Sequence, residues 1–331
     1  MKKQFLLFVC LLMAATVAKA DIAASVMLRH NGQATFFAYD EIQNAVDAAV
    51  EGDTIYLTEG TFSPFNVDKR IMVRGTGYTT VIEGGCNINI SGTAKLPMPV
   101  LDGMVLNGDI NVQSAYSQFT LRKVKMKNVA FAGEEHYDVK LDRCSVYGIL
   151  SLTGNVMEIN VFNSLIQQIT PHDYVLGHAI FEHCNIKYIY STVSTSIAAT
   201  FNSCVLYGAF CALSSSRNPI LVGCVLNSCV YKNASSSTQA TSVTDCLCYT
   251  SSTSFINCLR NGNLTDSSVL SLNSTTYLSA LDGTKIGAYG GQHPFTLWSE
   301  LPAVTKHSVK VDAANKKLNV TLTLEKRDKP E

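Results

Sequence analysis

The length and charge of this chain exclude several classes of protein. Its 331 residues are enough for one large domain, and a formal net charge of zero argues against a general nucleic-acid binder or a protein drawn to anionic membranes. With 47% hydrophobic and only 16% charged residues, the composition suits an all-β protein better than a helical one.

The first twenty residues are typical of a secretory signal peptide. Lys2 and Lys3 precede an apolar run at 5–15, and Ala18-Lys19-Ala20 provides a small-x-small cleavage site. The run is much shorter than the ~20 residues that a membrane-spanning helix needs, and no later stretch is apolar for long enough. We therefore expect cleavage after Ala20, no transmembrane segment, and an exported chain in the periplasm, at the cell surface or outside the cell.

A helix is predicted ahead of the main body of the chain. Apolar residues recur with helical spacing over 40–52, where Asp40 could cap the start and Gly52 would end the helix. The segment "TIYLTEG" at 54–60 predicts a strand and a turn, and a hairpin is predicted around Asn31-Gly32. We expect the helix to cover the open end of a repeat fold, whose first unit would otherwise expose its core.

A twenty-residue repeat fills the centre of the chain. Segments such as "LDRCSV" at 141–146, "FEHCNI" at 181–186 and "FNSCVL" at 201–206 keep the period over seven units, and "VTDCLC" at 243–248 follows after a two-residue slip. The first and sixth positions of each unit are apolar, and the fourth is small or apolar and most often cysteine. These positions are expected to face one interior, with a bend at the two variable positions between the first and the fourth.

A unit of this length fits one coil of a parallel β-solenoid. It is too short for a helix pair and too regular for a sandwich, whereas coils stacked at roughly 4.8 Å would place equivalent side chains in ladders. The fourth-position cysteines would then form an internal ladder of buried free thiols. Disulfides between neighbouring coils are the alternative, which we favour less because ladder side chains point the same way.

The chain after Pro302 departs from the repeat. Its sequence "HSVKVDAANKKLNVTLTLE" predicts two strands joined at Ala313-Ala314-Asn315, followed by a charged tail. We therefore divide the chain into a signal peptide at 1–20, a β-helix domain with its N-terminal cap at 21–300, and a C-terminal β segment with the tail at 301–331.

The order of these segments resembles a known superfamily. A helix within "IQNAVDAAVEGDTIYLTEGTF", then "IMVRGTGYTTVIEG", then rungs like "FNSCVL", is how right-handed parallel β-helix proteins of the pectin-lyase-like superfamily begin. The closer resemblance is to secreted, mostly uncharacterised β-helix proteins of gut-type Gram-negative bacteria, which tend to close with a segment like "KIGAYGGQHPFTLWSELPAVTKHSVKVDAANKKLNVTLTLE", here at 285–325. The resemblance implies an all-β, right-handed, single-stranded parallel β-helix with an N-terminal capping helix and a short C-terminal β segment. It implies no particular activity, because the superfamily contains lyases, hydrolases, adhesins and proteins of no known activity.

The catalytic groups of that superfamily are not apparent in the repeat. Its hydrolases resemble one another in an Asp-Asp pair and a Gly-His-Gly motif, whereas no rung here contains Asp-Asp and "GHA" at 177–179 lacks the second glycine. Asp102, Arg122 and Asp142 occupy the second position of successive units. A charge ladder across the rungs is the favoured interpretation, and an acid–base set like that of the lyases is the alternative. We therefore expect no catalytic residue.

Two sets of outward side chains are candidates for ligand binding. The seventh position of the units carries tyrosines and amides, and the tyrosines are Tyr147, Tyr207 and Tyr249. Aromatic rings can stack on sugars while amides bind hydroxyls, so these tyrosines are the candidate ligand-binding residues, with ordinary exposed tyrosines as the alternative. Lys123, Lys125 and Lys127 are expected to alternate outward on one rung, as a solvated edge or as a contact for an anionic glycan.

The sequence favours an exported, non-catalytic protein that binds glycans or serves a structural role at the cell surface or in the periplasm. The alternatives are a diverged polysaccharide lyase or glycoside hydrolase, and an adhesin for a protein partner. A cleft with several carboxylates and a basic residue would favour the enzyme. A flat tyrosine face without convergent carboxylates would favour the glycan binder, and an exposed apolar patch or sheet edge would favour the adhesin. No cofactor is expected, because phosphate- and dinucleotide-binding motifs are missing, and no metal site, because the cysteines lack zinc-ligand spacing. Polysaccharide is the expected partner and nucleic acid is not, while the oligomeric state is left open.

Overall fold

The computed structural model describes residues 25–90, 100–113, 117–131, 135–152, 155–156, 158–171, 178–190, 199–207, 209–213, 220–222, 224–227, 230–233, 242–244, 247–248, 259–260, 280, 282–296, 303–312 and 317–325. The expected signal peptide and Tyr249 lie outside these ranges. Within them, no helix has the length and the apolar character needed to span a bilayer.

The N-terminal part forms a hairpin followed by one short helix. Strands β1 (Ser25–His30) and β2 (Gln33–Ala38) pair antiparallel, as predicted, around a turn in which Asn31 and Gly32 both have positive φ, at 47° and 81°. The helix α1 (Ile42–Ala48) is shorter than the predicted range 40–52, and no side chain caps its start.

The C-terminal end of α1 is closed by a lysine. The ammonium group of Lys69 donates hydrogen bonds to the carbonyls of Val46, Asp47 and Ala49, at 3.1, 2.7 and 3.1 Å. Since Ala49 is already extended, with ψ of 150°, the helix cannot continue to Gly52. A positive charge at this end is favourable because it meets the unpaired carbonyls of the last turn.

The body of the chain is a parallel β-solenoid, as the repeat predicts. Successive strands pair in parallel with a residue opposite its equivalent in the next unit, as in Leu121 with Leu141 and Val161 with Phe181. The predicted two-residue slip is also present, because Leu221 pairs with Val243. Each coil has three faces around a common core, named faces 1, 2 and 3 in chain order.

The strands fall into these faces by their pairing. Face 1 contains β3 (Thr54–Leu57), β6 (Met72–Arg74), the first parts of β9 (Val100–Leu106) and β11 (Ser117–Met126), β13 (Glu135–Asp142), β15 (Asn155–Val156), β16 (Glu158–Phe162), β18 (His178–Glu182), β20 (Ala199–Asn202), β23 (Ile220–Val222) and β26 (Ser242–Thr244). Face 2 contains β4 (Gly60–Phe62), β7 (Thr80–Ile82), the ends of β9 and β11, the starts of β14 (Ser145–Leu152), β17 (Leu165–Pro171) and β19 (Asn185–Tyr190), and then β21 (Val205–Tyr207), β24 (Val225–Asn227), β27 (Leu247–Cys248) and β28 (Leu259–Arg260). Face 3 contains β5 (Phe65–Val67), β8 (Cys86–Ile88), β10 (Ile110–Val112), β12 (Val129–Phe131), the ends of β14, β17 and β19, and then β22 (Ala209–Leu213) and β25 (Val230–Asn233).

The N-terminal hairpin and α1 cover the first coil. Strand β1 pairs antiparallel with β3 and so continues face 1 beyond the first coil. Helix α1 buries Ile42, Ala45 and Val46, and the side chain of Gln43 accepts a hydrogen bond from the backbone amide of Asn66 in β5 at 2.8 Å. The solenoid core is thereby closed at this end, as the amphipathic pattern predicts.

The bend between faces 1 and 2 is made by a single left-handed residue in six consecutive coils. It occupies the third position of the unit, and the residues with their φ values are Gly103 (66°), Lys123 (54°), Arg143 (56°), Asn163 (47°), His183 (50°) and Ser203 (52°). Residues other than glycine rarely adopt this conformation. Because side chains as different as lysine and serine do so here, the geometry of the coil imposes the bend, which lies where the sequence predicts it.

The predicted thiol ladder is confirmed for the described fourth-position cysteines. These side chains are buried and free, and each thiol donates to the carbonyl of the first-position residue one coil earlier. The pairs are Cys144–Leu121 (3.3 Å), Cys184–Val161 (3.4 Å), Cys204–Phe181 (3.3 Å) and Cys224–Phe201 (3.3 Å). Cysteine at the fourth position therefore fills its place in the core and also provides a hydrogen-bond donor for a carbonyl beside the bend.

The C-terminal part contains an irregular segment and a hairpin. Residues 282–296, here called the strap, contain no strand and fold back over the bend between faces 1 and 2. Strands β29 (Ala303–Asp312) and β30 (Lys317–Glu325) then pair antiparallel, which confirms the prediction of two joined strands.

Candidate functional site

Buried amide side chains of the coils hold the strap in place. The Nδ2 atom of Asn163 donates to the carbonyls of Ala288 and Gly290, at 3.3 and 2.7 Å, and Oδ1 of Asn185 accepts from the amide of Ala288 at 2.9 Å. Both asparagines are buried. Because an unpaired buried amide is costly, these hydrogen bonds stabilise the strap on the coils.

A cleft of about 430 Å³ lies between the strap and the outer surface of face 1. Its floor consists of second-position side chains from three consecutive coils, Asp142, Phe162 and Glu182. Its remaining charged or titratable side chains are Lys140, His183, Asp282 and His293. The strap therefore turns one edge of a flat β-face into a concave site.

Phe162 lies at the centre of the cleft floor. It pairs with Asp142 on one side and with Glu182 on the other, so an acidic side chain lies on each neighbouring coil at a spacing of about 4.8 Å. Nζ of Lys140 lies 5.1 Å from the centre of the Phe162 ring. The floor thus combines an apolar ring with carboxylates and a cation.

The acidic residue Asp142 is already paired with an arginine. Nε and Nη2 of Arg143 donate to Oδ1 and Oδ2 of Asp142, at 3.2 and 3.0 Å. Both carboxylate oxygens therefore accept hydrogen bonds from one guanidinium group, a planar arrangement that is stronger than a single bond.

The predicted charge ladder is confirmed between Asp102 and Arg122, whereas Asp142 is bound by Arg143 of its own coil. Asp102 is buried and accepts from Nε of Arg74 at 2.9 Å and from Nε and Nη2 of Arg122 at 3.1 and 2.6 Å. The guanidinium of Arg122 binds this carboxylate side-on across neighbouring coils. Its geometry supports a structural ion pair rather than an acid–base pair of the lyase type.

His183 and Asp282 join the solenoid to the strap at the edge of the cleft. Nε2 of His183 lies 3.2 Å from Oδ2 of Asp282, while Nδ1 is buried against Gly290 with no hydrogen-bond partner among the described residues. Oδ1 of Asp282 also accepts from the amide and the hydroxyl of Thr284, at 2.9 and 2.7 Å. Partial burial works against ionisation of Asp282, but the Thr284 hydrogen bonds and the neighbouring His183 outweigh it and lower the pKa of the Asp282 carboxyl.

The tyrosines predicted to bind ligand do not line this cleft where they are described. Tyr147 is 44% exposed, and Nζ of Lys125 lies 5.7 Å from its ring centre and 5.9 Å from that of Tyr78. The side chain of Tyr207 and the whole of Tyr249 lie outside the described part of the chain. The tyrosine face therefore stays a prediction.

The prediction that three lysines alternate outward is wrong for one of them. Lys127 is exposed and Lys125 is half-buried, but Lys123 is only 5% exposed. The physical reason is the bend: Lys123 is the left-handed residue of its coil, so the simple alternation of a strand is interrupted there.

Sequence reasoning missed the residues that form the cleft. A signal for Phe162 existed, because it is an aromatic residue in a second-position column whose members in the two units before it and the two units after it are charged or polar. For the His183–Asp282 contact there was no local signal, since the two residues are 99 positions apart and the strap has no repeat pattern.

The described residues contain no cluster of three or more His, Cys, Asp or Glu side chains arranged to hold a metal ion. Comparison of the chain with protein-family models, with curated proteins and with solved structures gives no match. The functional proposal is therefore based on the geometry of the cleft.

Proposed function

We propose that this chain is an exported, non-catalytic β-helix protein of the pectin-lyase-like superfamily that binds a glycan in the strap cleft. The observation that carries this proposal is the position of Phe162, a half-buried ring on the floor of a cleft between two acidic side chains. A ring of this kind can stack on the C–H face of a sugar, while carboxylates accept hydrogen bonds from its hydroxyl groups.

The shape of the floor suits a chain of sugars running along the solenoid axis. Asp142, Phe162 and Glu182 come from consecutive coils, spaced at about 4.8 Å, which is close to the length of one pyranose unit. Each sugar unit would therefore lie over about one coil.

The charges of the cleft favour a neutral glycan. The carboxylates of Asp142, Glu182 and Asp282 outnumber the nearby cations Lys140 and Arg143. Uronic or sulfated sugars would therefore meet like charges, which disfavour binding.

Binding without turnover is supported by the state of Asp142. Glycoside hydrolysis needs one carboxylate to protonate the leaving group and a second to activate water or attack the sugar. Both oxygens of Asp142 are held by Arg143, so Glu182 has no second, similarly placed carboxylate that is free to act.

An inverting glycoside hydrolase is the second candidate. Asp142 and Glu182 are two coils apart, so their backbones are separated by roughly 10 Å, close to the upper end of the 6.5–9.5 Å range of inverting carboxylate pairs. A rotation of either side chain toward the other would bring the carboxyl groups within that range.

Titration with soluble polysaccharides tests the proposal directly. Mature protein would be titrated with neutral and uronic-acid polysaccharides by calorimetry, while new reducing or unsaturated ends are assayed in the same samples. We expect binding of a neutral polysaccharide without products, and a loss of about ten-fold or more in affinity for Phe162→Ala, since one stacked ring contributes roughly 1–2 kcal/mol. Tyr39→Ala, which removes a 52% exposed tyrosine elsewhere, is the matched control and should bind normally.

The other outcomes separate the alternatives. If Tyr147→Ala abolishes binding and Phe162→Ala does not, the glycan site is the tyrosine face and the cleft is the wrong site. Product formation that Glu182→Gln abolishes would replace the binding proposal by the hydrolase. If no polysaccharide binds or is cleaved, the proposal fails and the adhesin alternative is favoured.

A further inference from the structure

Strand β2 leaves one edge of the solenoid sheet open. Among the described strands it pairs only with β1, which in turn pairs with β3 and so continues face 1. The open side of β2 therefore presents the backbone N–H and C=O groups of Ala34 and Phe36 at the N-terminal end of the molecule. Those of Ala38 are bound to Glu41, whose side chain accepts from the Ala38 amide at 2.9 Å and whose amide donates to the Ala38 carbonyl at 3.1 Å.

This edge lacks the features that usually protect an open strand. Its sequence, "QATFFA", contains no charged residue and no proline, and its register with β1 runs without a bulge from Gln33 to Ala38. Phe36 is 70% exposed, which makes it the most exposed large apolar side chain among the described residues. An uncharged, regular edge of this kind favours pairing with a further strand.

The charges beside β2 indicate what pairs with it. Arg29 lies next to Ala34 in the register with β1, near the start of β2, whereas Asp40 and Glu41 follow its end. All three charged side chains are exposed. If β2 pairs antiparallel with β2 of a second copy, the basic end of each strand meets the acidic end of the other, and this complementarity occurs twice.

We propose that two copies of this chain associate through an antiparallel β2–β2 contact around a two-fold axis, which makes face 1 continuous through both molecules. This inference goes beyond glycan binding and does not depend on it. In this arrangement Ala34 of each copy lies opposite Phe36 of the other, because these residues point their backbone N–H and C=O groups away from β1, and Phe36 lies near the centre of the contact.

The oligomeric state of the mature protein tests the proposal. Sedimentation equilibrium at low salt should show a concentration-dependent dimer, and Phe36→Lys should shift it to monomer because it places a charge at the centre of the contact. Val50→Lys changes another exposed apolar residue, 51% exposed and outside β2, and should leave the dimer intact. Thermal melting of both variants checks that they are folded.

Mixing two charge variants distinguishes the antiparallel contact from any other. Arg29→Glu alone and Asp40→Lys alone should each dimerise about ten-fold or more weakly, since each places like charges opposite one another. An equimolar mixture of the two variants should recover dimer, because both ends of the mixed contact again carry opposite charges. A monomer at all concentrations, a dimer that survives Phe36→Lys, or a mixture that fails to recover would overturn the proposal.

Discussion

At the scale of single residues, Cys86 and the cysteines of the thiol ladder show how burial controls the reactivity of a thiol. Removal from water raises the pKa of Cys86 and of Cys144 to about 12, and the pKa of Cys204 also lies well above its ordinary value, chiefly because of burial. Since the thiolate is the reactive form of cysteine, these side chains have little reactivity at neutral pH in the folded protein.

We predict that native protein resists thiol alkylation at these positions. With the pKa near 12 rather than about 8.5, the thiolate fraction at pH 8 is lower by about three orders of magnitude. Iodoacetamide at pH 8, followed by peptide mass analysis, should leave Cys86, Cys144 and Cys204 unmodified, whereas the same treatment in denaturant should modify all three. Rapid native labelling of Cys204 would show that the ladder is open to solvent.

Asp282 is expected to make the strap sensitive to acid. Because its pKa is lowered in the folded chain, its contribution to stability is complete above the unfolded value of about 3.9 and is lost as the pH falls through the folded value. Hydrogen exchange in the strap, corrected for intrinsic rates, should therefore accelerate as the pH falls below about 4, while β16 and β18 stay protected.

The variant Thr284→Val tests whether the ionisation of Asp282 causes this response to acid. It removes the hydroxyl donor to Asp282 and retains the amide donor, and it also removes the acceptor of the Gly291 amide. The folded pKa of Asp282 should then move up toward its ordinary value, so the strap should open at a higher pH than in the wild type. An unchanged midpoint would mean that Asp282 does not govern the acid response.

At the scale of elements, the strap depends on close backbone approach. A Cβ atom at Gly290 would overlap the carbonyl oxygen of Lys285 and lie 2.9 Å from Nδ1 of His183. Gly283 has a positive φ of 78°, but a Cβ atom there would meet nothing within 4 Å. These two glycines therefore separate the effect of close packing from the effect of backbone conformation.

We predict that Gly290→Ala detaches the strap and that Gly283→Ala does not. Gly283→Ala should lower the stability of the folded chain by about 1 kcal/mol, because residue 283 has a left-handed backbone. Gly290→Ala should instead break the hydrogen bonds from Asn163 to the strap, each of which contributes about 1 kcal/mol. Limited proteolysis should cleave the strap of Gly290→Ala first and leave the coils intact. Equal cleavage of both variants would contradict this account.

The sequence predicts the elements that repeat better than the elements that do not. The twenty-residue period is repeated in each unit, and it predicts the coils, the bend and the two-residue slip before Val243. The hairpin at Asn31-Gly32 is predicted by its turn residues. The length of α1 was overestimated because its end is set by Lys69, more than twenty positions further on. The cleft could not be predicted because it needs the strap, which meets the coils only through contacts about a hundred residues apart in sequence.

At the scale of the whole molecule, each coil contacts chiefly its neighbours, so stability is expected to be local. Helix α1 is the element that protects the first coil, through the buried side chains Ile42, Ala45 and Val46. A weakened cap should therefore expose the nearest strands first, without melting the molecule at once.

We predict that Ile42→Ala loosens the N-terminal coil selectively. Loss of this fully buried side chain should cost about 2–4 kcal/mol locally, and hydrogen exchange should accelerate in β1, β3 and β5 while β16 and β18 keep their protection. Asn44→Ala, on the exposed side of the same helix, is the control and should change neither region. Uniform acceleration along the chain would instead indicate one global unfolding unit.

The stacking of the thiols also sets a timing requirement for the molecule's maturation. Cys184, Cys204 and Cys224 belong to consecutive coils at about 4.8 Å spacing, a distance that a disulfide can bridge, yet all three are reduced in the folded chain. In an oxidising compartment, such as an exported chain enters, the unfolded polypeptide can form crosslinks that distort the stack, whereas the completed solenoid shields its sulfurs. If the chain is exported as proposed, folding therefore competes with oxidation, and only chains whose coils close before the oxidant reaches them are expected to mature correctly.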